Sequence, residues 1–250
     1  MAYLLFDIGN TRSKMAVMEG GAMRELVVRE QLERDEVAQL TRRYAVEAAL
    51  ACLTGRAPDW EALLPAELQG RLHLLSYRSR FPFAIDYETP ETLGMDRVAA
   101  VAGARQVAPE GALMVVDAGT CITIDILDSQ NVYRGGAILP GLAMRFRALH
   151  EQTAALPLVE PTPEERAGQV APPDYGRSTR DAIRAGVMRA ACYEIQGFAE
   201  RLAEQYSGFK LFLTGGDADF FANQLKFPNF AISNLLFMGL EKLLEMNMKQ

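Results

Sequence analysis

The sequence runs to 250 residues, 49% apolar and 23% charged, with a formal net charge of −6. That length supports one large core or two of ordinary size. The acidic balance excludes a nucleic-acid surface, which needs clustered Lys and Arg, and no apolar run approaches the roughly 20 residues of a membrane helix.

The opening, Met1-Ala2-Tyr3-Leu4-Leu5-Phe6, lacks a basic n-region and meets Asp7 too soon for a secretory signal, so the cytoplasm is the expected compartment. Leu4-Leu5-Phe6 reads as a strand that ends in the carboxylate of Asp7, and Gly9 then permits a tight turn. Asn10 and Thr11 offer amide, hydroxyl and main-chain donors, and Lys14 adds a mobile positive charge. Such a turn can cradle a phosphate, with Asp7 beside the magnesium ion that accompanies it. Met15-Ala16-Val17-Met18 continues as a second strand, and Gly20-Gly21 turns into a third over Glu25–Arg29.

Ala45–Cys52, apolar apart from Glu47, fits either a short helix or a buried strand. Trp60–Leu64 and Ala66–Leu68 read as peripheral helices, and Leu72–Leu75 as a short strand. Cys52, Cys121 and Cys192 form no Cys-x-x-Cys pair, so reduced, buried thiols are expected instead of a zinc or redox site. With His73 and His150 as the only histidines, neither a His-rich metal site nor a His-based triad is expected, and each reads as a surface or packing residue. A helix follows from Gly94 to Val107, with Asp96 and Arg97 in its first turn. A carboxylate there serves as a dipole partner or as a general base, and Arg97 as a clamp for an acidic group or a solvent-facing side chain.

Leu113-Met114-Val115-Val116-Asp117-Ala118-Gly119-Thr120 repeats the opening pattern, and Ile122–Ile126 continues it. One Asp-x-Gly turn arises easily by chance; two predict similar half-domains, 1–110 and 111–250, around a shared nucleotide cleft. Val132–Gly141 reads as a strand breaking into a glycine-rich bend, followed by a helix over 142–150. Residues 156–178 carry five prolines among charged residues and are expected as an exposed loop. Ser178-Thr179-Arg180-Asp181 resembles a capping box opening a long helix, with Ile183, Val187, Ala191, Ile195, Phe198 and Leu202 on its buried side. Lys210–Ala218 is a strand running into a Gly-Gly turn suited to a nucleoside, and Leu235–Leu244 closes the chain as a helix.

The chain has neither a Gly-Lys pair nor a Gly-x-Gly, so Walker and dinucleotide fingerprints are absent. The combination of Asp7–Thr11 with Lys14, Gly94-Met95-Asp96-Arg97, Asp117–Thr120, Gly135–Gly141 and Thr214–Ala218 resembles type III pantothenate kinase, from residue 4 to about 240. The resemblance implies an α/β, actin-like fold of two ribonuclease-H-like halves and ATP-dependent phosphorylation of pantothenate, the first step toward coenzyme A. It implies that Asp7, Ile8, Gly9, Asn10, Thr11, Arg12, Ser13 and Lys14 hold the ATP phosphates, that Thr120 touches ATP, and that Asp96 is the proton acceptor. Tyr87, Gly94, Met95, Asp96, Arg97 and Thr179 would contact pantothenate, and Asp117 a monovalent cation, K+ or NH4+, beside the Mg2+ of the nucleotide. A homodimer is implied as well. Two alternatives stay open on the residues alone: another small-molecule kinase or phosphatase of the same superfamily, and an ATP-binding regulator without catalysis.

Overall fold

The structure, a computed structural model, describes residues 1–248. The chain forms two compact units, Met1–Pro109 together with the segment from Asn234, and Glu110–Ser233.

In the first unit, β1 (Ala2–Ile8), β2 (Ser13–Glu19) and β3 (Ala22–Arg29) form an antiparallel meander. After α1 (Arg34–Arg43), β4 (Ala48–Leu53) lies parallel to β1. The short helices α2 (Trp60–Leu63) and α3 (Ala66–Gln69) lead to β5 (Leu72–Leu74), parallel to β4. The sheet order is β3-β2-β1-β4-β5. β6 (Ala84–Ile85) and α4 (Met95–Val107) follow. Leu4, Phe6, Met15, Val17, Ala49 and Ala51 meet Val37, Leu40, Leu64 and Leu68 in the core. The ambiguous 45–52 run is thus a strand. Ala48 to Cys52 are all buried, and a parallel strand covered on both faces shows no alternation to read.

The second unit repeats the plan. β7 (Leu113–Ala118), β8 (Cys121–Leu127) and β9 (Val132–Pro140) form a meander. Then come α5 (Leu142–Glu151), α6 (Pro163–Arg166), α7 (Thr179–Arg184), a π-helical turn (Ala185–Arg189) and α8 (Ala190–Gln205). β10 (Lys210–Thr214), α9 (Ala218–Gln224) and β11 (Asn229–Ala231) complete it, with β10 parallel to β7 and β11 parallel to β10. Read from the meander outward, β9-β8-β7-β10-β11 matches β3-β2-β1-β4-β5 strand for strand. This is the expected duplicated ribonuclease-H-like fold.

Four expectations need correction. The final helix, α10 (Leu235–Met248), belongs to the first unit instead of a C-terminal half reaching 250. It packs on α4 so closely that a Cβ at Gly239 would lie 1.8 Å from the Ala99 carbonyl oxygen, a long-range fit that no local pattern announces. The Gly135-Gly136 pair does not break the strand: β9 continues through it, Gly135 at φ +83° lies opposite the register shift between Asp125 and Leu127, and a Cβ at Gly136 would sit 1.6 Å from the Ile124 carbonyl oxygen.

The 156–178 stretch is not simply exposed. Val159 and Glu165 are buried, and Thr162 and Glu165 form a reciprocal capping box with the Thr162 amide 2.7 Å from Glu165 Oε2. Arg189 donates to the carbonyl oxygens of Pro172 and Pro173, tying the stretch to the π turn. Prolines that read as breakers include Pro163 at a helix start, where its missing N–H costs nothing. Finally, Phe198 is 41% exposed, and the inward position after Ile195 is taken by the small Ala199.

Cys52 and Cys192 are buried, Cys121 is half-buried, and all three are free thiols. His73 is half-buried, and the exposed His150 sits with Nδ1 2.8 Å from the Leu156 carbonyl oxygen. No helix among the described residues is long and apolar enough to cross a membrane.

Candidate functional site

In the first unit the first group of candidate residues lies at the C-terminal end of β1. Every residue of β1 is buried, including Asp7 at 9% exposure, and a carboxylate at that depth requires a partner. The hairpin supplies one. Asp7 pairs in register with Lys14, and Lys14 Nζ lies 3.2 Å from Asp7 Oδ2. Between them the Gly9 amide donates to the Arg12 carbonyl oxygen at 3.1 Å and closes the turn, leaving Asn10, Thr11 and Arg12 exposed at its tip. Among the described residues the amides of Asn10 and Thr11 have no acceptor within the chain. The turn therefore presents main-chain donors and a lysine of the kind an anion can use.

Asp96 lies in the first turn of α4, after Gly94 at the N-cap and Met95, and its Oδ1 accepts from the Arg97 amide at 2.9 Å. Asp96 is half-buried and Arg97 buried, at 7% exposure. Cys52 sits opposite Asp7 in the β1–β4 pairing, and its thiol is pushed well above the ordinary cysteine range, first by burial, then by the charges of Asp96 and Asp7. Tyr87 is half-buried in the segment leading to the 3-10 turn Pro90–Thr92.

In the second unit the Asp117 turn closes on itself and receives two further segments. The Gly119 amide donates to the Cys121 carbonyl oxygen at 2.9 Å, the Gly141 amide to Thr120 at 3.2 Å, and the Asp217 amide to Ala118 at 2.9 Å. Gly215 has φ +91°, and a Cβ there would lie 2.4 Å from Asp117 Oδ1, so only glycine fits. Burial raises the Asp217 carboxyl above its usual range, with Arg166 opposing. Thr120 is exposed at the turn. Thr179 is the first residue of α7, exposed, on a different element from the Asp117 turn. The box before it is modified: Ser178 Oγ accepts from the Asp181 amide at 3.2 Å but donates to Asp181 Oδ2 at 2.7 Å, not closing back on its own amide.

One element escaped the motif reading. Thr54 and Gly55, just past β4, donate both their amides to the Ile8 carbonyl oxygen at 2.9 Å. They lean on the first hairpin as the 215–217 loop leans on the second. No local window of sequence carries that contact. Among the described residues no three of His, Cys, Asp or Glu converge on one metal position. The carboxylates on the page suit an ion that arrives with oxygen ligands of its own.

Known proteins resemble this chain along most of its length. A family model described as type III pantothenate kinase matches residues 3–201. A type III pantothenate kinase of Flavobacterium johnsoniae is 39% identical over 240 residues, covering 96% of each chain. One from Bacteroides fragilis is 38% identical over 244 residues, 98% of each. Among solved structures, a Campylobacter jejuni protein described as a Baf family transcriptional activator superposes with a TM-score of 0.64 at 24% identity, over 99% of this chain and 100% of that one. A protein described as a 2-dehydro-3-deoxygalactonokinase from Sinorhizobium meliloti gives a TM-score of 0.55 at 16% identity, over 96% and 97%. These two likenesses bear on the fold alone.

Proposed function

The chain belongs to the type III pantothenate kinase family, and from that premise we propose that it transfers the γ-phosphoryl group of ATP to the terminal hydroxyl of pantothenate, giving 4'-phosphopantothenate and ADP. The observation that carries this reading is the Asp7–Lys14 pair at 3.2 Å at the root of a turn whose Asn10 and Thr11 amides have no acceptor among the described residues, an arrangement that suits a nucleotide phosphate.

Asp7 to Lys14 hold the ATP phosphates through the Asn10 and Thr11 amides and the Lys14 ammonium, and Thr120, exposed at its own turn, is the further residue that touches ATP in this reading. Tyr87, Gly94, Met95, Asp96, Arg97 and Thr179 receive pantothenate, with Arg97 fitted to its carboxylate. Asp96 accepts the hydroxyl proton as the alcohol oxygen bonds to the γ-phosphorus and the bond to the β-phosphate oxygen breaks. Little proton removal is needed early in a loose transition state, so an ordinary carboxylate suffices.

Mg2+ bound with ATP would supply charge neutralisation, and Asp7 is the carboxylate suited to it. Asp117, beside turn carbonyl oxygens, offers the hard oxygen donors that K+ or NH4+ prefers. A cytoplasmic homodimer completes the reading. Tyr193 and Phe198 stand exposed on α8, in the unit that carries Thr179, as apolar surface of the kind an interface covers.

A coupled ADP assay across acceptors tests the substrate. Turnover with pantothenate far above sugars or acetate supports the proposal, and turnover of those acceptors without pantothenate overturns it. The non-catalytic regulator is disfavoured by Asp96, since a sensor has no use for a base.

A further inference from the structure

Three donors converge on one carbonyl oxygen at the root of the first hairpin. The amides of Thr54 and Gly55 each reach Ile8 O at 2.9 Å, and Thr54 Oγ1 approaches it at 3.4 Å. Ile8 is the last residue of β1, so this carbonyl fixes the plane from which Gly9, Asn10 and Thr11 depart. The loop after β4 therefore grips the phosphate turn from outside.

Gly55 sets how close that grip is. A Cβ at position 55 would lie 2.3 Å from the Gly9 carbonyl oxygen, 2.7 Å from its carbon and 3.1 Å from the Asn10 amide nitrogen. All three are backbone atoms, so no flexible side chain can yield. A methyl group there would push the turn outward and cover the Asn10 amide, which like that of Thr11 has no acceptor among the described residues. By contrast, a Cβ at Gly70 in the same unit meets nothing within 4 Å.

The geometry points to Thr54-Gly55 as a positioning element for the nucleotide phosphates: it holds the Asn10 and Thr11 amides in line without touching the ligand. This rests on the ATP-dependent reading above. The second unit supports it: Asp7 faces Cys52 where Asp117 faces Thr214, so Gly55 stands in the place of Asp217, and both donate their amides to the carbonyl oxygen of the residue after the aspartate, Ile8 and Ala118. In the second unit Thr214 is buried in register with Asp117, and Gly215 packs against that carboxylate. In the first unit Gly55 packs instead against the turn's own backbone, so its influence falls on the amides and not on Asp7.

Steady-state kinetics on the full chain tests the assignment, with Gly55→Ala, Thr54→Gly and, as a control, Gly70→Ala. Gly55→Ala is expected to raise KM for ATP about tenfold or more while KM for pantothenate stays within about twofold, and Gly70→Ala is expected to change neither. A purely structural role would lower the amount of active enzyme without splitting the two KM values. Should Gly55→Ala fail to fold, Thr54→Gly decides, since it loosens the grip without a clash; it should raise KM for ATP roughly threefold. An unchanged KM for ATP in the folded variants, or equal rises for both substrates, overturns the assignment. Wild-type turnover of pantothenate checks the function separately, and the Kd of a non-hydrolysable ATP analogue reads the same variants if another acceptor is used.

Discussion

Lys14 Nζ and Asp7 Oδ2 lie 3.2 Å apart, across the hairpin that carries them in register. The pair keeps a nearly buried carboxylate compensated while its lysine remains within reach of solvent, where an incoming phosphate can share it. Lys14→Ala is expected to raise KM for ATP about tenfold and to leave KM for pantothenate within about twofold. Asp7→Asn should lower kcat as well, because the carboxylate rather than the charge pair would serve the metal. Michaelis kinetics with each substrate varied in turn separates the two outcomes.

Arg97 is buried in the first turn of α4, next to Asp96. If it meets the pantothenate carboxylate, Arg97→Gln raises KM for pantothenate about thirtyfold, the loss of roughly 2 kcal/mol for a charge-assisted pair, with little change for ATP. An equal rise for both substrates would assign Arg97 to holding the helix start instead.

Gly215 has φ +91° and meets Asp117 Oδ1. Gly215→Ala is expected to cost about 1–3 kcal/mol of stability, from the strained backbone and the displaced carboxylate together. It should also weaken activation by K+, if Asp117 holds that ion. Thermal melting and a potassium titration of activity measure the two effects on the same sample.

Asp128, in the turn between β8 and β9, accepts from the amides of Gln130 and Val132 at 2.9 Å and from Arg134 Nε at 2.7 Å. Burial alone would raise its carboxyl, but the Val132 amide, Arg134 and the Gln130 amide together outweigh that and hold it below the usual range. The folded form therefore binds the proton more weakly than the unfolded chain. Its stabilisation is present above the ordinary carboxylate range near pH ~3.9 and is lost as pH falls through the lowered folded value. Denaturant titrations should find Asp128→Asn less stable than wild type near neutrality, with the gap closing as the solution is acidified into that range.

Both hairpins were legible in the sequence because an Asp-x-Gly turn between apolar runs is a local signal, and its repetition implied the duplication. β4 was not decided, since Ala48 to Cys52 are buried on both faces and show no period. The place of α10 depends on Gly239 meeting Ala99, a contact spanning more than half the chain, and no window of sequence carries it. Phe198 and Ala199 stand one position apart on α8, and hydrophobicity favoured the larger residue where packing against the sheet chose the smaller. The close approach of Gly55 to the Gly9 carbonyl is illegible for a related reason: it lies between neighbouring strands, and no local window of sequence carries it.

Phosphoryl transfer to pantothenate through Asp96 is tested most directly by mass detection of 4'-phosphopantothenate from purified wild type and Asp96→Asn with ATP, Mg2+ and K+. The account predicts product equimolar with ADP from wild type, and from the variant a rate lower by about 10²–10⁴-fold with the Kd for an ATP analogue nearly unchanged. Undiminished product from Asp96→Asn, or ADP released by wild type without phosphopantothenate, would contradict it.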